Sequence, residues 1–202
     1  EFDNYTDERI LNVTRENTLE VASEPLNKFK RASGEIDCVG PGITFARNMV
    51  DHFPGRRIAL LHRGAGGTQL SQWLKGGSSY NITMKLLNAA QDLGAIKGVL
   101  WHQGESDSSD REKAGTYAER FRSMVRDLRS DLGIPDLPVV AGQIGPFLEG
   151  STTYPYANIV NQQIAGLSQT LDRVRTVTSA GTAHIGDELH LDTKSQILMG
   201  ER

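Results

Sequence analysis

The chain has 202 residues (22.2 kDa), 38% hydrophobic and 23% charged, a composition that suits one packed α/β domain and argues against a disordered chain. Its 22 basic and 25 acidic residues leave a net charge of −3, against a surface built to grip nucleic acid. No apolar run approaches the roughly 18 residues of a membrane span, and the single cysteine, Cys38, excludes an internal disulfide framework and a multi-cysteine metal site.

The first segment of helical period is 42–50, after Pro41. Residues 57–62 (RIALLH) follow Pro54-Gly55 and read as a strand, and 82–93 as a helix. A second strand is expected at 96–101 (IKGVLW). In 114–128 the apolar residues Ala114, Tyr117, Ala118, Phe121, Met124, Val125 and Leu128 line one helix face, and Gly133-Ile134-Pro135 stops it. A third strand is expected at 137–144. A helix carrying Val160, Ile164, Leu167 and Leu171 follows Tyr154-Pro155, then come a short strand at 174–179 and a last helix from Thr193. Continuous apolar strands alternating with helices predict a mostly parallel, doubly wound sheet between helix layers. No repeat or linker interrupts it, so 1–202 reads as one domain. The sequence opens without an initiator Met, and the sequons at Asn4, Asn12 and Asn81 lean only faintly toward secretion, so secreted and cytoplasmic locations both stay open.

In such sheets the working residues occupy loops beyond the carboxyl ends of strands. Four polar, glycine-rich segments are expected there: Gly64 to Thr68, His102 to Asp107, Gly142 to Pro146, and His184 to His190. The first lacks the lysine of a phosphate loop and the third glycine of a dinucleotide fingerprint, since Gln69 stands there. Its glycines serve either a plain turn or a backbone N–H facing an oxyanion. Asp187-x-x-His190 lets a carboxylate orient one imidazole nitrogen and leave the other as a general base. A metal reading of His184, Asp187 and His190 stays beside it, short of a fourth ligand. Gln103, at a strand end, is an amide placed to donate to an oxyanion. Glu105 and Asp107 are either acid/base groups or loop-ordering carboxylates, and for Glu105 loop-holding is preferred.

Together these segments resemble the SGNH-hydrolase superfamily, in its sialate O-acetylesterase-like and acetylxylan-esterase-like branch. The resemblance runs from about Asp7 to the C-terminus, through Glu24-Pro25-Leu26, Val39-Gly40-Pro41-Gly42, Gly66-Gly67-Thr68 with Trp73, Trp101-His102-Gln103-Gly104-Glu105-Ser106-Asp107, and Asp187-x-x-His190 with Lys194. It implies a three-layer α/β/α, flavodoxin-like fold and cleavage of an acetyl ester on a carbohydrate, without metal or organic cofactor. By the same resemblance His190 is the general base, Asp187 its partner, and Gly66 and Gln103 form the oxyanion hole, supported by Gly67, Thr68 and Glu105. The family's serine nucleophile sits in a Gly-Gln-Ser-Asn block after the first strand. That block does not occur here, and by register both strand and serine are expected before Glu1, unless 7–21 supplies a replacement strand. Ser33 is the nearest local substitute for the nucleophile, while Ser71 and Ser106 sit too close to the oxyanion loops. The other reading is a non-catalytic carbohydrate-binding domain that stacks sugars on Trp73, Trp101 and Tyr80.

Overall fold

The computed structural model describes residues 6–31 and 34–202, with only backbone pairing described for 27–38. The sequon at Asn4 and the candidate Ser33 lie outside the described residues. The chain forms two compact units, one of 1–64, 86–95 and 193–202, the other of 65–85 and 96–192.

In the first unit, β1 (Ile10–Val13) pairs in parallel with β5 (Ile58–Leu60) and antiparallel with β2 (Leu19–Val21). The segment 7–21 therefore does hold a strand that runs parallel to its neighbour. The β1–β2 turn places Asn17 at φ 58°, a left-handed conformation that asparagine tolerates better than most residues. A hairpin of β3 (Asn27–Arg31) and β4 (Gly34–Cys38) follows. Helix α1 (Gly42–His52) buries Ile43, Ala46 and Val50, a one-face spacing, against Ile10 and Ala22 with Ile58 and Leu60 beside them. Helix α7 (Thr193–Glu201) crosses α1 closely at Gly200, where a Cβ would stand 2.5 Å from the Pro41 carbonyl oxygen.

The second unit holds three parallel strands in the order β6 (Val99–His102), β7 (Val139–Gly142), β8 (Val174–Val177). Their registers align Val99 with Val139 and Val139 with Val174. Each is shorter than its apolar run. Pro138 has no N–H for the ladder, so β7 begins only at Val139. The expected 114–128 helix divides at Thr116 into α3 (Arg111–Gly115), capped by the Asp110 carboxylate on the Lys113 N–H at 2.9 Å, and α4 (Tyr117–Leu132). Gly133 ends α4 in the left-handed conformation at φ 67°, as the Gly-Ile-Pro signal predicts. Gly166, with right-handed backbone at φ −77°, separates α5 (Ala157–Ala165) from α6 (Leu167–Thr170). Helix α2 (Ser78–Ala89) starts earlier than the sequence suggests.

Tyr117, Phe121, Ile144, Val160 and Ile164 are fully buried in the core of this unit. Each buried large apolar side chain is worth about 1.5–3 kcal/mol. Trp73 meets Trp101 edge to face at 5.2 Å, and Tyr117 stacks on Phe121 at 6.5 Å. Because the strands are parallel, the loops that follow β6, β7 and β8 all leave from one edge of the sheet. No helix among the described residues is long and apolar enough to cross a membrane.

Candidate active site

β6 ends at His102, and the chain turns through Gly104 into the segment that carries Gln103, Glu105 and Asp107. Gly104 is buried: a Cβ there would lie 2.7 Å from Val160 Cγ1 and 3.1 Å from Ile144 Cγ2. Only a residue without a side chain lets the backbone pass this close to α5. Glu105 accepts the Gly104 N–H at 3.0 Å, and its own carbonyl accepts the Ser108 hydroxyl at 2.6 Å.

Asp107 is fully buried. Its Oδ2 accepts the Leu70 N–H and Gln103 Nε2, each at 2.8 Å, and its Oδ1 stands 2.8 Å from Arg120 Nη1. The other Nε2 hydrogen of Gln103 goes to the Thr68 carbonyl at 2.9 Å. The Tyr117 hydroxyl donates to the Gln103 carbonyl at 2.6 Å, stands 3.2 Å from Gln103 Oε1, and accepts Trp101 Nε1 at 3.0 Å. Burial pushes this phenol above its ordinary pKa, so Tyr117 donates as a neutral hydroxyl. The sequence points to Gln103 as a donor, and both of its amide hydrogens are engaged by the protein. Of the two roles the sequence leaves open for Asp107, the structure shows the loop-ordering one, with the carboxylate buried against Leu70, Gln103 and Arg120; its burial had no sign in the sequence, because an acid beginning a short helix looks the same whether it caps that helix or is buried.

The glycine loop lies beside this cluster. Gly66 and Gly67 form an exposed turn, with Gly67 at φ 67°. Thr68 Oγ1 donates to the Ala65 carbonyl at 2.8 Å and accepts Trp73 Nε1 at 3.0 Å, which ties the turn to the core. Neither glycine N–H donates to a described residue. Such N–H groups are the type that can meet a developing negative charge.

The Asp187–His190 pair is built by its own loop. Asp187 Oδ2 lies 2.6 Å from His190 Nδ1, while Oδ1 accepts the N–H groups of Leu189 and His190 at 3.0 and 2.9 Å. Partial burial works against ionisation of Asp187, but the bonds from the His190 ring and the two N–H groups outweigh it, and its pKa falls to about 2. An ionised Asp187 fixes the proton on Nδ1 and leaves Nε2 of the neutral ring as a base. Nε2 has no hydrogen bond to any described residue, and the His190 side chain is 51% exposed. Leu189, packed on the core of the second unit, anchors the loop.

The other two histidines of these loops, His184 and His102, are occupied. His184 Nδ1 accepts the N–H groups of Gly186 and Glu188 at 3.0 and 3.1 Å, and His102 Nε2 faces the Gln143 carbonyl at 3.0 Å. Among the described residues no group of three His, Cys, Asp or Glu is arranged to hold a metal ion, the trio His184, Asp187 and His190 included. The structure brings Gln103, Thr68 and Asp107 together, and Asp187 to His190. No hydrogen bond joins these two groups among the described residues. Trp73, Trp101 and Tyr80, the sugar-stacking candidates, are 9%, 9% and 5% exposed and belong to the interior, which removes that support for a sugar-binding module.

The model of a family described as carbohydrate esterase, sialic acid-specific acetylesterase, matches residues 2–202. A probable carbohydrate esterase of Arabidopsis thaliana is 31% identical over 194 residues, 95% of this chain and 71% of that protein. The X-ray structure of that protein matches with a TM-score of 0.84 at 31% identity, over 98% of this chain and 79% of its own. A carbohydrate acetylesterase of Xanthomonas citri, 19% identical, matches in fold with a TM-score of 0.67, over 96% of this chain and 47% of its own. The α/β class with parallel strands, expected from the sequence, is the fold shared with these structures.

Proposed function

The chain belongs to the sialic acid-specific acetylesterase family of carbohydrate esterases, and from that premise we propose that it hydrolyses an acetyl ester on a carbohydrate hydroxyl, with His190 as general base and Asp187 as its orienting partner. The observation that carries this reading is the 2.6 Å Asp187–His190 bond, which leaves Nε2 at the surface. Nε2 takes the proton of an attacking hydroxyl as that oxygen bonds to the acetyl carbon. The carbonyl electrons move onto oxygen, and Gly66 N–H with Gln103 Nε2 receives the negative charge, Gly67 and Thr68 shaping the turn and Glu105 its neighbour. Collapse expels the sugar oxygen, which takes the proton from the imidazolium. Water then repeats the sequence on the acyl-enzyme and releases acetate.

For Gln103 to serve, one amide hydrogen must leave a protein acceptor for the oxyanion. Among the described residues no serine is bonded to His190, and Ser71 and Ser106 stand in the oxyanion loops themselves. The test uses the full-length protein: acetate release from acetylated sugars, sugar binding by calorimetry, and mass mapping of a fluorophosphonate label. Acetate release with a single labelled serine is the expected result. Binding without release or label overturns the reading in favour of a non-catalytic module.

A further inference from the structure

We infer that Asp107 is a positioning residue for the oxyanion donor: it fixes which end of the Gln103 amide faces the reaction and which amide hydrogen stays available to it. The inference rests on the proposed role of Gln103 and deepens it.

A glutamine side chain carries a donor end and an acceptor end of nearly equal shape. A chain that needs the donor end must therefore specify it. Here the specification comes from the acceptors at the nitrogen end of the amide. The Asp107 carboxylate, paired with Arg120 at 2.8 Å, takes a hydrogen from Nε2 and has none to give to the oxygen end. The Thr68 carbonyl, likewise an acceptor, stands 2.9 Å from Nε2. Reversing the amide would set oxygen against carboxylate in a site closed to water, where Asp107 is 0% exposed.

The two Nε2 acceptors differ in strength. Asp107 offers a carboxylate paired with the Arg120 guanidinium; Thr68 offers a neutral carbonyl at 2.9 Å. Hydrogen bonds to a charged acceptor are roughly twice as strong as neutral ones. A developing oxyanion thus displaces the Thr68 carbonyl and leaves the Asp107 bond in place. The hydrogen on Thr68 is the one that serves the reaction, and the one on Asp107 is its pivot. Because Asp107 also holds the Leu70 N–H at 2.8 Å, the same carboxylate sets the distance between the glycine loop and the amide.

The test takes the full-length protein labelled with ¹⁵N, with the Gln103 NH₂ signal assigned by its loss in Gln103→Ala. Asp107→Asn keeps the shape and removes the charge, and Asp107→Glu keeps the charge balance with Arg120 should the first variant fail to fold. In either variant the Gln103 NH₂ should exchange with solvent at least about tenfold faster. Turnover should fall about 10- to 100-fold, with KM within about twofold. In a Gln103→Ala background neither substitution should lower turnover further. An unmoved Gln103 NH₂ signal in a folded variant overturns the inference. So does an equal loss of turnover with and without Gln103. Gln103→Ala at full rate, beside a loosened NH₂ in Asp107→Asn, would instead sink the oxyanion reading while Asp107 still orients the amide.

Discussion

Asp187 reaches His190 across three residues of its own loop and keeps a side chain 36% exposed, whereas Asp107 is fully buried and binds Leu70 37 residues away. Each carboxylate aligns a group with a proposed part in the reaction. The first stays partly open to solvent and contributes little to folding, since exposed pairs are worth about 0–1 kcal/mol. The second has lost its water and depends on Arg120, Gln103 and Leu70 together. Chemistry and stability should therefore separate at one site and coincide at the other.

The sharpest way to break that contrast is His190→Ala. Turnover should fall on the order of 10⁴-fold, the upper range for a general base, while the urea midpoint stays near that of the parent because the ring is half exposed. A large loss of stability would show that the open loop is structural after all. Asp107→Ala comes next: leaving Arg120 without its partner should cost about 3–5 kcal/mol in urea unfolding, against about 1 kcal/mol or less for Asp187→Ala. Equal costs would erase the distinction. Gln103→Ala lies between the two, with turnover down about 10²–10³-fold and stability down about 1–3 kcal/mol, because the Thr68 and Asp107 acceptors are left bare. Acetate release and denaturant curves on one preparation measure both.

The smallest effect concerns pH. Asp187 has its folded-state pKa drawn down to about 2, below the ordinary aspartate value of about 3.9. A group depressed in this way stabilises the fold above its unfolded pKa and loses that contribution as pH falls toward the folded one. The stability gap between the parent and Asp187→Asn should thus be constant above about pH 5 and shrink toward pH 2. Urea midpoints at several pH values measure it; a gap that widens on acidification would contradict the assigned direction.

The two regions also differ in how far the sequence discloses them. Asp187-x-x-His190 is a local pattern, and a loop of that spacing brings the two side chains together without help from the rest of the chain. The Thr68–Gln103 and Leu70–Asp107 bonds span 35 and 37 residues, so no spacing rule reaches them. For Asp107 the residue type gives no sign of burial. Helices were legible where the apolar face is long, as in α4, and misjudged where the run divides, as at Thr116 and Gly166. Strand β1 stood in the sequence only as a conditional replacement within 7–21 and β2 went unread, because four and three residues carry too little alternation to stand out from a turn. The apolar runs behind β6, β7 and β8 were plain, since parallel strands covered on both faces need no polar positions.

Gly104 ties the proposed oxyanion donor to the hydrophobic core. With Val160 Cγ1 2.7 Å from where its Cβ would be, the exit of β6 is moulded against one side chain of α5. The direction in which Gln103 leaves the sheet is thus a cast of the hydrophobic interior behind it. Exchanges of volume at Val160 or Ile144, which alter no charge and no hydrogen-bonding group, act as a rear adjustment on the amide. An engineer seeking to retune the proposed activity has a lever in the core, and a library confined to the visible rim of the site would never sample it.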